Sequence, residues 1–108
     1  MTAPEVRPGT VQRVERDQHL APRFHLVLLD DNDHTYEYVI ELLGAIFGYS
    51  REKAFAIACV VDSQGRAIVE TADQDTVIRH QQQIHAYGPD PRIPHCRGSM
   101  YAVIEPAP

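Results

Sequence analysis

The stretch FHLVLLDDNDHTYEYVIELLGAIF, residues 24–47, changes its apolar period in mid-course, and few folds accommodate that change. Phe24 to Leu29 is a short apolar run of strand length. From Thr35 onward the apolar residues Tyr36, Val39, Ile40, Leu43, Ile46 and Phe47 recur at helical spacing. Asp30, Asp31, Asn32 and Asp33 fill the junction. Asp and Asn end strands and cap helices by accepting backbone N–H groups, and an acidic residue also suits the positive end of a helix dipole. One or two of them meet that need, so the excess of carboxylates marks the junction as a candidate binding site.

The remaining punctuation extends the pattern. Thr35 or His34 is the expected cap of the first helix and Gly48 ends it. Ser50 suits the N-cap of a second helix whose Ala54, Ile57, Ala58 and Val61 form one face. The segment DSQGR breaks that helix at Gly65, and RAIVET reads as a strand. Thr71 or Asp73 caps a third helix to about Ala86, with Val77, Ile84 and Tyr87 facing inward. The Pro-rich connection GPDPRIPHCRG then leads to a last strand, SMYAVIE. The order β-α-α-β-α-β with short connections predicts an α+β sandwich of three mainly antiparallel strands, with three helices on one face. Residues 1–22 are polar with only scattered Val and Leu, and are expected to form a mobile tail ahead of a core domain over residues 23–108.

With 108 residues there is one core and little room for a separate cofactor domain. The formal charge of -5 argues against a nucleic-acid binder, whose affinity comes chiefly from Lys and Arg neutralising phosphates. No signal-like or membrane-spanning apolar run is visible, so a cytoplasmic protein without a membrane partner is expected. Cys59 lies in the apolar run AFAIACVV, as a buried free cysteine usually does. His80, His85, His95 and Cys96 allow a zinc site to be sketched, but their spacing follows no regular ligand pattern. Asn32 and Glu41 imitate ligand positions of a calcium loop counted from Asp30, yet the Gly of its sharp turn is missing. Paired carboxylates also serve acid–base enzymes, but no nucleophile, phosphate loop or metal triad accompanies them. No cofactor is expected.

The order FHLVLLDDNDHTYEYVIELL, then YSREKAFAIACVVDSQGRAIV, then the T-A-D start of the third helix resembles the ClpS family. Its members are adaptors that hand N-degron substrates to the ClpAP protease. In that family a strand runs into an N-D-D-x-T-P-M-x-F-V segment, and the second helix ends in H-x-x-G. The resemblance spans residues 23–86 and, more loosely, the last strand. It implies a non-enzymatic, monomeric adaptor that binds a free amino terminus with a bulky apolar first side chain and delivers the protein to a ClpA-type AAA+ unfoldase, which the N-terminal extension engages. The amine-binding Asn-Asp pair falls on Asp30 and Asp31, and the histidine of H-x-x-G on Asp62, with Gly65 kept. The side-chain pocket falls on His34, Tyr36, Val39, Tyr49, Val61 and Met100, with Tyr36 where methionine is usual. Three carboxylates would form a trap for an ammonium group, at the cost of mutual repulsion when the site is empty. The alternative is a protein of the same fold that has lost N-degron recognition and binds another protein or a small cationic ligand.

Overall fold

The computed structural model describes residues 21–108; most of the tail expected over residues 1–22 therefore lies outside the described residues. The elements follow in the expected order: β1 (Phe24–Leu29), α1 (Tyr36–Phe47), α2 (Arg51–Gln64), β2 (Arg66–Ala72), α3 (Gln74–His85) and β3 (Ala102–Pro106). The strands form one antiparallel sheet in the order β2-β1-β3, so the first strand in sequence is the central one. Phe24, Leu26 and Leu28 of β1, with Ala67, Val69, Ala102 and Ile104 beside them, join the core with Tyr38, Val39, Leu42 and Leu43 of α1, Ala54, Ala58 and Val61 of α2, and Val77 and Ile84 of α3.

Local chemistry accounts for the boundaries. Thr35, Ser50 and Asp73 are extended N-caps whose side chains accept from the N–H of Tyr38, Lys53 and Thr76. Of the alternatives left open by the sequence, Thr35 and Asp73 are the caps. Gly48 and Gly65 close α1 and α2 in the left-handed conformation, at φ 72° and 83°, which glycine adopts without strain.

Three details depart from the sequence reading. The register of β1 against β2 slips between Leu26 and Val27, leaving Val69 as the extra residue of a bulge; Glu70 is thereby turned to the helical side, where it meets His80 Nδ1 at 2.7 Å. The last strand starts at Ala102 and not at Ser99, because Ser99 Oγ accepts the Gly88 N–H at 2.6 Å and Met100 packs into the core instead of pairing. Tyr87 is 38% exposed, although its ring meets Tyr38 edge-on at 5.6 Å.

The Pro-rich connection is pinned by Asp90, the one buried charged residue among those described. Its Oδ2 accepts the Thr35 N–H and hydroxyl, each at 2.8 Å, and its Oδ1 accepts the Arg92 N–H at 3.0 Å and Nη1 at 3.2 Å. Arg92 Nη2 reaches on to Glu41 at 2.6 Å. Burial raises the pKa of Asp90, but the bonds from Arg92 and Thr35 outweigh it and bring the value from 3.8 down to about 2. A depressed carboxyl pKa stabilises the fold above its unfolded value, and that contribution is lost as pH falls through the folded one. Asp90→Ala, which leaves the Thr35 N–H without its acceptor, should therefore cost about 2–4 kcal/mol at neutral pH in denaturant unfolding. The difference from the native protein should shrink between about pH 4 and pH 2.

Candidate functional site

Four chain segments converge where β1 ends. The Leu29 N–H donates to Tyr101 O and the Asp30 N–H to Gly65 O, each at 3.0 Å, so the strand end is tied both to the residue before β3 and to the C-cap of α2. Asp62 in the last turn of α2 is thus brought beside Asp30 and Asp31, which lead into α1. Between them lies a cavity of about 60 Å³. Val39, Ala58, Val61 and Met100, each at most 5% exposed, form its apolar floor. Asp30, Asp31, His34, Thr35, Tyr36 and Asp62 form its polar rim.

The structure therefore gathers eight of the nine residues singled out by sequence: Asp30, Asp31, His34, Tyr36, Val39, Val61, Asp62 and Met100. Tyr49 stands apart. Its hydroxyl donates to Val69 O at 2.7 Å, its ring stacks on Phe47 at 5.2 Å, and Lys53 Nζ lies 3.8 Å above it, so it secures the α1–α2 turn against β2. Thr35 and Ala58, read from the sequence as a helix cap and a packing residue, also line the cavity. Ala58 was foreshadowed by its place three and four residues before Val61 and Asp62 on one helical face.

Two of the three carboxylates already have donors. Asp31 Oδ1 closes a local turn by accepting the Asp33 N–H at 2.9 Å, and its oxygens lie 2.7 and 2.9 Å from His34 Nδ1. His34, with its side chain 4% exposed, reaches Gly98 O through Nε2 at 2.7 Å, and Cys96 Sγ is 3.4 Å from the same nitrogen. Both ring nitrogens face acceptors. Asp62 Oδ2 accepts the Tyr36 hydroxyl at 2.6 Å. That bond, with partial desolvation and the Asp62 charge adding to it, pushes the phenol up from 10.0 to about 12. Asp30 is exposed at the rim.

The histidines fall to separate tasks. His80 pairs with Glu70, His85 lies 3.1 Å from Ala102 O and stacks on Tyr101, and Cys96 accompanies His34. Among the described residues no group of three or more His, Cys, Asp or Glu side chains is placed to hold a metal ion. No helix among them is long and apolar enough to cross a membrane.

Comparison with known proteins gives the arrangement its context. Residues 19–91 match the model of the family described as ATP-dependent Clp protease adaptor protein ClpS. The ClpS adapter of Rhodococcus jostii is 31% identical over 86 residues, which cover 80% of this chain and 77% of that protein. That of Neisseria meningitidis serogroup B is 34% identical over 62 residues, 57% of this chain and 62% of that protein. Among solved structures, Agrobacterium tumefaciens ClpS2 bound to L-phenylalaninamide superposes with a TM-score of 0.68 at 20% identity, covering 80% of this chain and 98% of that one. The order of elements, the family match and the similarity to curated adapters agree: the chain belongs to the ClpS family of adaptor proteins of the ATP-dependent Clp protease.

Proposed function

We propose that this ClpS-family protein binds the free amino terminus and bulky apolar first side chain of N-degron substrates and delivers them to a ClpA-type AAA+ unfoldase. It acts as a cytoplasmic, monomeric, non-enzymatic adaptor. The observation that carries the reading is the cavity itself: an apolar floor of Val39, Val61 and Met100 directly beneath the carboxylates of Asp30, Asp31 and Asp62. A protonated terminal amine offers three donors and one charge. Hydrogen bonds to charged groups contribute about 1.5–3 kcal/mol each, so a carboxylate rim suits it. The amide of phenylalanine, present in the ClpS2 structure, carries both a free amine and a bulky apolar side chain, the two groups for which this cavity has partners.

The alternative, a module of the same fold that has lost N-degron recognition, draws on one observation. The cavity of about 60 Å³ holds about two water molecules, less than a leucine or phenylalanine side chain fills. A binding scan over peptides that differ only in their first residue separates the two. Selective binding of Phe-first or Leu-first peptides supports recognition, and equal or absent binding supports the alternative.

Amine capture predicts that acetylating the peptide's first nitrogen weakens binding more than tenfold, since the charge and the donors go together. A free α-amino group titrates near 7.7–8.0, so affinity should fall at higher pH, from a point displaced upward by the carboxylates' hold on the cation. Asp31→Asn and Asp62→Asn should each weaken binding, whereas Asp33→Asn should leave it unchanged; calorimetry with free and acetylated peptides checks each point. Deleting residues 1–20 should preserve peptide affinity and impair delivery to the unfoldase. Loss of peptide binding by a folded truncation would show that the segment belongs to the capture site.

A further inference from the structure

Tyr36 opens α1 and Asp62 lies near the end of α2, yet they meet across the cavity mouth with hydroxyl and carboxylate 2.6 Å apart. The Tyr36 ring is a wall of the cavity, and its outer side rests on Phe55 of α2 at 5.8 Å between centroids. The ring is therefore held at both ends by α2, by an aromatic contact and by a hydrogen bond. Behind it the apolar floor has room for about two water molecules. A first side chain the size of leucine enters only if a wall moves. Val39, Val61 and Met100 are packed in the core at 5% exposure or less, whereas Tyr36 is 39% exposed and can turn outward.

Resting on the amino-terminal recognition proposed above, we infer that the Tyr36–Asp62 hydrogen bond is a latch: it closes the side-chain cavity in the free protein and is broken when the substrate's ammonium group takes over the Asp62 carboxylate. Amine and side chain then act together. The amine supplies Asp62 with a charged donor in place of the phenol, and the released ring uncovers the floor that the side chain fills. A peptide with only one of the two groups meets a closed cavity or an occupied carboxylate. The latch opposes every first residue alike, so it sets the level of affinity; the shape of the ring as a wall sets the ranking among first residues.

The test is fluorescence anisotropy with the full chain and labelled Phe-first and Leu-first peptides, on the native protein, Tyr36→Phe, Asp62→Asn and the double variant. Tyr36→Phe keeps the ring and removes the hydroxyl. It should tighten binding of both peptides by the same factor, roughly twofold to tenfold, the range of one hydrogen bond in water. In the Asp62→Asn background the same change should give a much smaller gain, because the latch has lost its anionic acceptor. Unchanged or weaker binding by Tyr36→Phe, or an equal gain in both backgrounds, overturns the latch while peptide binding by the native protein leaves amino-terminal recognition standing. Failure of both the native protein and Tyr36→Phe to bind, with thermal melts showing both folded, removes recognition and latch together.

Discussion

The carboxylate of Asp90 holds together what the backbone ladder leaves apart. Between His85 and Ala102 the chain runs without regular structure over the helical side of the molecule. Such a segment needs its own fixed points, because its polar backbone gains nothing from helix or strand. Asp90 supplies one, accepting from Thr35 at the positive end of α1 and from Arg92 in its own loop. Removal from water is costly for a carboxylate, and here four hydrogen bonds offset that cost. The start of α1 and the connection are thereby fixed to one another. The connection in turn carries Gly98 to His34 and Met100 to the cavity floor.

The site follows from this anchoring. Its rim residues come from the first helix start and the second helix end, and its floor from helix interiors and the lead-in to β3. The floor beneath is buried, and the exposed part is confined to side chains at the rim. A binding surface of this kind can exclude water from the floor while exchanging partners at its edge, which suits a ligand with one apolar and one charged end. Asp62 lies in the last turn of α2, at a helix C-terminus, where an anion is not stabilised. Asp62 therefore needs a donor, and the Tyr36 hydroxyl provides it.

How much of this was legible in the sequence depends on the range of each interaction. Thr35, Ser50, Asp73, Gly48 and Gly65 act within a few residues of themselves, so the element boundaries could be read from them. The helical faces through Val39 and Val61 showed in the apolar period. The bulge at Val69 did not, since it reflects how β2 meets β1 across the sheet. Asp90 and Thr35 are 55 residues apart and Tyr36 and Asp62 are 26 apart, and nothing local marks either pair. Tyr49 misled for a related reason. An aromatic residue in a helix–helix turn can face the cleft or the sheet, and the Val69 carbonyl decides the matter by accepting its hydroxyl.

Two of the departures from the family's pattern compensate one another. Where that pattern has Asn and His, this chain has Asp30 and Asp62; where it has Thr and Met, this chain has His34 and Tyr36. The first pair of changes adds anionic acceptors around the cavity, and the second adds donors aimed at its carboxylates: His34 meets Asp31 at 2.7 Å and Tyr36 meets Asp62 at 2.6 Å. Without Asp62 the Tyr36 hydroxyl would lose its acceptor, and without Tyr36 the Asp62 carboxylate would lose its donor. Asp31 and Asp62 thus carry donors from the chain itself, and on the reading proposed above a ligand gains Asp62 by offering a better donor than tyrosine. An ammonium group is such a donor, whereas an acetylated terminus, with neither charge nor more than one N–H, is not.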